Sequence, residues 1–303
     1  MGTGQFASLC LEGLNRRNIH IDRVITGLPT RSGRSGKENP SPVELKASAL
    51  GLPVSRTGPG KLSGNQELLS ALEAESPAVI FVIDFGQIIR EPFLSRMCLN
   101  IHPSLLPEYR GAAPIQRALL EGKSYTGVTV FRLVQAMDAG GIAAQEQVDI
   151  APEENASDLY ARLAEIGCSL AADVVSKLES IAFTPQDDSL ATFAPKLAKE
   201  EFVLTFGMRA RKFVDTVRAL DMSGGAYAII RGKRVKVWRA SVCDDLKGEA
   251  PGQVLMTGDS LIVSCSDGAV ELSQVQSEGK NKITGAKWSR GLRVQTGDNL
   301  CKV

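Results

Sequence analysis

The sequence predicts an α/β fold, in which a mostly parallel sheet carries helices on both faces and a small β-barrel follows at the C-terminus. In the first half of the chain, short apolar runs alternate with longer amphipathic runs, a pattern typical of strands that alternate with helices. Residues 182–199 lose this pattern and contain Pro185 and Pro195, which marks a boundary. Short apolar runs separated by turn residues such as Ser266-Asp267-Gly268 follow it, as in all-β modules.

Each run in the first half predicts one element. The predicted strands are 24–27, 53–55, 79–84, 99–102 and 127–131. The predicted helices are 6–17, 42–50, 66–75, 114–121 and 156–178. In the last helix, apolar residues recur at steps of three or four, which gives it one apolar face. The alternating order predicts a Rossmann-like sheet.

The second half predicts a separate module. A helix near 209–220 precedes short strands at 226–231, 234–240, 252–256, 261–265 and 270–275. Strands of this length and spacing suit a small barrel of the oligonucleotide-binding type. The predicted organisation is a catalytic domain at 1–183, a linker at 184–205 and a barrel domain at 206–303.

Composition limits the class of protein. The chain has 303 residues, 43% of them hydrophobic, and a net charge of +1, and it shows no run near the roughly 18 apolar residues that span a bilayer. The N-terminus lacks the pattern of a signal peptide, and the six cysteines are scattered. These features predict a cytoplasmic protein with reduced thiols. Residues 196–303 carry 18 Lys and Arg against 12 Asp and Glu, a modest excess that is compatible with contact with a polyanion but is more often a solvated surface.

Two polar side chains end one predicted strand. Asn100 and His102 are two residues apart, so both point to the same face, at the sheet edge where open α/β folds bind ligands. The segment 103–107 begins and ends with proline and forms a stiff loop with free backbone groups. Taken alone, a histidine here is more often structural than catalytic.

Residues 100–107, Asn-Ile-His-Pro-Ser-Leu-Leu-Pro, resemble the signature of folate-dependent formyltransferases, and Asp138 follows His102 by 36 positions as their second element does. The resemblance implies 10-formyltetrahydrofolate as co-substrate and no metal. It implies that Asn100, His102 and Asp138 are catalytic. It assigns the folate site to Ser104, Leu105, Leu106 and Pro107, with Phe85 and Gly86 as further candidates.

Within that superfamily, residues 109–117 and 2–7 are most similar to methionyl-tRNA formyltransferases. The implied acceptor is the α-amino group of methionine on initiator methionyl-tRNA, and the implied enzyme is monomeric and does not bind membranes. Arg31, Arg34 and Lys37 resemble the basic loop of that family that approaches the tRNA. The C-terminal barrel is implied to bind tRNA as well.

The resemblance also implies a mechanism of acyl transfer through a tetrahedral intermediate. Asn100 and His102 are suitable donors to the oxyanion, and Asp138 either orients His102 or accepts a proton from the attacking amine. Two alternative functions stay open. One is a formyltransferase for a small amine, such as a sugar or a nucleotide precursor, and the other is a catalytically vestigial nucleic-acid-binding protein.

Two departures from the family pattern concern the N-terminus and Asp84. Formyltransferases begin with an apolar strand before the Gly-Thr turn, whereas here the turn starts at Met1. We expect the natural product to start several residues upstream, which the intact mass of the native protein would test. Asp84-Phe85-Gly86 copies the magnesium triplet of kinases, but the other kinase motifs do not accompany it.

Overall fold

A computed structural model of the chain describes residues 1–32, 37–58 and 62–301. The chain forms two compact units. The first contains Met1–Pro114, Thr126–Asp149 and Tyr160–Ala194, and the second contains Ile115–Tyr125, Ile150–Leu159 and the chain from Pro195 onward. The domain bounds inferred from the sequence stay a prediction.

The predicted order of helices and strands is confirmed, with additional short strands. The helices are α1 (Gln5–Arg16), α2 (Pro42–Ala49), α3 (Gln66–Glu75), α4 (Pro114–Leu120), α5 (Ala156–Ser176), α6 (Ala210–Ala219) and α7 (Gly285–Gly291). The strands up to residue 150 are β1 (Val24–Thr26), β2 (Thr30–Ser32), β3 (Lys37–Asn39), β4 (Val54–Arg56), β5 (Ile80–Phe81), β6 (Cys98–His102), β7 (Arg110–Gly111), β8 (Tyr125–Arg132) and β9 (Ile142–Asp149). The later strands are β10 (Phe193–Ala194), β11 (Val203–Leu204), β12 (Ala226–Ile230), β13 (Lys233–Cys243), β14 (Val254–Met256), β15 (Ile262–Ser264), β16 (Ala269–Ser277) and β17 (Ile283–Thr284).

The first unit contains the Rossmann-like sheet that the sequence predicts. Strands β1 and β4 pair in parallel, as do β5 and β6. Strand β8 pairs with β6 in the antiparallel sense, and β9 pairs with β8. The sequence analysis did not predict β9, because three consecutive exposed polar residues interrupt its apolar pattern.

Met1 and Gly2 lie between β1 and β5. The Gly2 amide donates to the carbonyl of Ile25 at 3.0 Å, and the Ile83 amide donates to the carbonyl of Met1 at 2.9 Å. Burial lowers the pKa of the Met1 ammonium group to about 6. A cavity of about 150 Å³ adjoins Met1 and is lined mainly by apolar side chains. The upstream start proposed from the sequence stays a prediction.

The helix starts follow from local chemistry. The Ser41 side chain accepts from the Glu44 amide at the start of α2, and the Asn65 side chain accepts from the Leu68 amide at the start of α3. Pro42 occupies the first turn of α2, where a missing N–H costs nothing. The buried faces of these helices point Val43, Leu68 and Leu72 into the core.

The second unit is a β-rich domain built on one sheet. Its strand order is β11-β12-β13-β16-β15-β14, with β17 on the side of β16. The prediction of a β-rich C-terminal module is confirmed, and its barrel is not closed, because no pair joins β14 to β11 within the described residues. The end strands β11 and β14 have two and three residues and so offer few backbone groups to a closing ladder.

Candidate active site

Asn100 and His102 lie at the end of β6, a strand flanked by β5 and β8. Asn100 is opposite Phe131 of β8 and is partly exposed, whereas His102 is opposite Thr129 and only 5% exposed. Strand alternation turns both side chains to one face, as the sequence predicts. Among the described residues, none forms a hydrogen bond with the side-chain amide of Asn100.

A backbone carbonyl fixes the ring of His102. Nε2 lies 3.0 Å from the carbonyl oxygen of Tyr109, and because a carbonyl only accepts, Nε2 carries the hydrogen. In neutral His102 the other nitrogen, Nδ1, is therefore free of hydrogen. It faces Asp138 Oδ2 at 3.9 Å, and the Phe131 ring packs edge-on at 6.3 Å.

Asp138 approaches His102 from the segment between β8 and β9. Its backbone is left-handed, with φ of 51°, and its side chain is 13% exposed. The carboxylate accepts a hydrogen bond from the Gly111 amide at 2.8 Å. The 3.9 Å distance to Nδ1 is too long for a hydrogen bond. The structure thus brings together the imidazole and the carboxylate that the sequence proposed.

The loop after His102 is held by two side chains from β8 and β9. The Thr129 hydroxyl donates to the Ser104 carbonyl at 2.7 Å and accepts from the Leu106 amide at 3.2 Å. The Gln145 amide donates to the same hydroxyl at 2.8 Å and to the Leu106 carbonyl at 2.9 Å. Ser104 and Leu106 are buried, whereas Leu105 and Pro107 are partly exposed.

The two other candidate folate residues lie after β5. Phe85 is partly buried and packs on a hydrophobic cluster that includes Val82 and Phe93, whereas Gly86 is exposed. Asp84 supports the turn before α1, since its carbonyl accepts from the amides of Thr3 and Gly4 at 3.1 and 3.3 Å. Its carboxylate occupies the space that a side chain on Gly4 would need.

Two of the three basic residues proposed to bind tRNA lie in a hairpin. Arg31 is on β2 and pairs with Glu38 of β3, and Lys37 begins β3. Arg34 lies outside the described residues. The hairpin was not predicted, because its two strands are short and mostly polar.

Residues that the sequence analysis did not assign complete the site. Tyr109 and Gly111 contribute only backbone groups to His102 and Asp138, and no sequence pattern reports such contacts. Thr129 and Gln145 lie in strands and show no motif. Gln186 was read as part of a linker, yet its side chain donates to the carbonyls of Asp138 and Gly140.

The described part of the chain contains neither a metal-binding cluster nor a membrane-spanning helix. No group of three or more His, Cys, Asp or Glu side chains there is arranged to hold a metal ion. None of its helices is long and apolar enough to cross a membrane.

Comparison with known families covers nearly the whole chain. The family described as "Formyl transferase" matches residues 1–175, and "Formyl transferase, C-terminal domain" matches residues 196–293. Proteins named "Methionyl-tRNA formyltransferase" are 34% identical in Kosmotoga olearia and 36% identical in Thermotoga neapolitana. The alignments cover 99% of this chain in both cases, with 98% and 96% of the relatives.

Solved structures show the same fold at lower identity. HypX from Aquifex aeolicus in complex with tetrahydrofolic acid aligns with a TM-score of 0.61 at 24% identity, over 83% of this chain and 45% of that chain. An N-formyltransferase from Helicobacter canadensis, in complex with folinic acid and dTDP-3-aminofucose, aligns with a TM-score of 0.65 at 17% identity, over 91% and 97%. At these identities the likeness concerns the fold alone.

Proposed function

The chain belongs to the methionyl-tRNA formyltransferase family, and we propose that it transfers the formyl group of 10-formyltetrahydrofolate to the α-amino group of methionine on initiator methionyl-tRNA. The observation that carries the proposal is the position of Asp138 beside Nδ1 of His102. His102 ends β6, and Asn100 lies on the same face of that strand. The choice of methionyl-tRNA as acceptor is supported by the relatives, which are named "Methionyl-tRNA formyltransferase".

The hydrogen-bond donors of Asn100 and His102, at the end of β6, are placed to stabilise negative charge on the formyl oxygen. As the amine attacks the formyl carbon, charge collects on the formyl oxygen, and the Asn100 amide donates to it. His102 already uses Nε2–H on the Tyr109 carbonyl, so it donates to the oxygen from Nδ1 only when protonated. A donor of this kind typically accelerates the reaction about 100- to 1,000-fold.

The geometry favours one of the two roles considered for Asp138. The Tyr109 carbonyl already orients the His102 ring, and Asp138 is beyond hydrogen-bond distance of Nδ1. We therefore assign Asp138 to acceptance of the proton that the amine loses as it attacks, and to stabilisation of protonated His102 by charge. The tetrahedral intermediate then collapses, the bond between the formyl carbon and N10 of the folate breaks, and N10 takes up that proton as tetrahydrofolate leaves. The Gly111 amide holds the carboxylate for this task.

The residues after His102 fit a flat, partly apolar group such as a folate. The bound folate supplies the activated formyl group. Leu105 and Pro107 present partly exposed apolar surface next to buried His102, and the bonds from Thr129 and Gln145 hold this loop in one shape. Phe85 is proposed as a second apolar contact. The sites need no metal, because side-chain donors polarise the carbonyl.

A basic and aromatic face of the second unit supports binding of the tRNA. The Arg234 guanidinium stacks over the Tyr227 ring at 3.7 Å, and the Lys282 ammonium lies 3.4 Å from the centre of the Trp238 ring. Lys236 lies 5.4 Å from the same ring. Cations held on aromatic rings suit a phosphate backbone with exposed bases. We propose that this face binds the tRNA, and we propose Arg31, Arg34 and Lys37 of the first unit as separate tRNA contacts.

The proposal is tested by incubating the protein with 10-formyltetrahydrofolate and charged initiator tRNA, and by measuring formylmethionine released from the tRNA. We expect formylation that is lost in His102→Ala, with no product from free methionine. Transfer only to a sugar amine or a nucleotide-precursor amine would overturn the acceptor and keep the site. RNA binding without transfer to any amine would favour the vestigial protein.

The remaining parts of the proposal concern the cell. We place the enzyme in the cytoplasm, where initiator tRNA is charged and used. The monomeric state and the lack of membrane association stay predictions, and light scattering of the purified protein would test the first.

A further inference from the structure

The turn that carries Asp138 is tight and depends on outside contacts. Asp138 has a left-handed backbone, a conformation that costs an L-residue free energy. At Gly140 a side chain would lie 1.7 Å from the Arg132 carbonyl oxygen, so the turn packs directly on the end of β8. Such a turn persists only where the surrounding structure fixes it.

One side chain holds the turn from the outside. The Gln186 Nε2 amide donates to the carbonyl of Asp138 at 2.8 Å and to that of Gly140 at 2.7 Å. Both N–H groups of the side chain are used. Gln186 lies 48 positions from Asp138 in the sequence, in the segment that precedes β10.

Arg110 sets the orientation of the Gln186 amide. Its Nε and Nη2 donate to Gln186 Oε1 at 3.1 and 2.7 Å, and Arg110 is only 6% exposed. With its oxygen bound to the guanidinium, Gln186 must present its nitrogen to the two carbonyls. Arg110 also pairs with Asp188 at 2.7 Å, but the Asp188 side chain is 80% exposed.

We propose that Gln186 is a positioning residue for Asp138, which acts through the turn at 138–140 and is oriented by Arg110. The inference rests on the proposed function. It is supported by the place of Arg110 between the two residues that hold the reactive pair: the Tyr109 carbonyl binds His102, and the Gly111 amide binds Asp138. Gln186 thereby joins the segment before β10 to both reactive groups.

The test uses Gln186→Glu, which has the same shape and keeps an acceptor for Arg110. It loses both donors and places a carboxylate against two carbonyl oxygens. We expect kcat to fall about 10- to 100-fold, as for a small displacement of a reacting group, with a KM for charged tRNA close to that of the unmodified protein. The pH profile of kcat should also move.

Gln186→Met separates loss of the donors from the added charge, and serves if Gln186→Glu does not fold. It should lower kcat to a similar extent. The matched control is Asp188→Asn, which removes the exposed partner of Arg110 and leaves Gln186 in place, so kcat should stay within about twofold. If both Gln186 variants fold and keep the unmodified kcat and pH profile, the inference is wrong.

A readout that needs no activity separates this inference from the proposed function. The chain has two histidines, and His20 is exposed with an 88% accessible side chain, so the ring proton signals of His102 can be assigned by NMR with His102→Ala. We expect the Gln186 variants to change the chemical shift of His102 and leave that of His20 unchanged. An unmodified protein that forms no formylmethionine overturns the proposed function, whereas an unchanged His102 signal overturns the role of Gln186.

Discussion

Replacing Thr129 by valine removes one hydroxyl and keeps the shape of the side chain. That hydroxyl uses its full bonding capacity, with one donation to the Ser104 carbonyl and two acceptances, from Leu106 and Gln145. Thr129 is fully buried, so water cannot replace the lost partner without opening the loop.

The expected magnitude follows from the groups left unpaired. The variant leaves the Ser104 carbonyl and the Leu106 amide without this partner, and each buried unpaired group costs about 1–3 kcal/mol. Gln145 keeps its bond to the Leu106 carbonyl, so we count two groups and expect a loss of roughly 2–6 kcal/mol. If the loop after His102 opens, water can bind the two unpaired groups and part of this loss is avoided. Folate binding must then close the loop again. Since about 1.4 kcal/mol is a factor of ten in affinity, we expect the KM for the formyl folate to rise at least tenfold.

The assay is the initial rate of formyl transfer at saturating charged tRNA, with the folate concentration varied. Thr129→Ser is the matched control, because it keeps the hydroxyl, and its KM should stay within about threefold of the unmodified value. Thermal unfolding of both variants reports how much of the cost is global. A Thr129→Val protein with unchanged KM and unchanged stability would refute the view that this hydroxyl shapes the folate loop.

Two further predictions concern the second unit. The Arg117 guanidinium holds the pKa of the Glu201 carboxyl below its ordinary value, so the pair stabilises the fold above that value, and the contribution is lost as the pH falls through the lowered pKa. Denaturant unfolding should therefore show that Glu201→Gln costs about 1 kcal/mol at pH 7 and progressively less as the pH falls below the ordinary pKa of the carboxyl. The control, exposed Glu200→Gln, should cost little at any pH. A cost of Glu201→Gln that does not depend on pH would contradict the assignment. Lys282→Ala should raise the KM for charged tRNA and make that KM less dependent on the salt concentration. The control is Lys247→Ala, at an exposed position outside the proposed surface. Equal effects of the two substitutions would contradict the proposed tRNA surface.

Hydrophobic periodicity allowed much of the fold to be predicted from the sequence. Helix α5 and strand β6 were predicted because their apolar residues have the spacing that burial requires. Strand β9 and the hairpin of β2 and β3 were missed because polar side chains dominate them. The sequence did not indicate whether the C-terminal barrel closes, because strand number and spacing do not specify how the end strands pair.

The candidate site was predictable only in part. Strand alternation placed Asn100 and His102 together, and a resemblance supplied Asp138. The orientation of His102 and Asp138 depends on the Tyr109 carbonyl and the Gly111 amide, and contacts of backbone groups leave no motif in the sequence. The contacts of Gln186 span 46 and 48 positions, and pairing over such distances follows from the folded chain and not from local composition.

The central claim is that His102, with Asn100 and Asp138 beside it, stabilises the formyl group as the amine attacks. The most direct measurement is the single-turnover rate of formylmethionyl-tRNA formation by His102→Ala, with the enzyme in excess over tRNA and the folate saturating. We predict a rate at least 100-fold below that of the unmodified protein, measured at a temperature at which the variant is folded, since loss of the bond to the Tyr109 carbonyl lowers its stability. A rate within about threefold of the unmodified protein would contradict the claim.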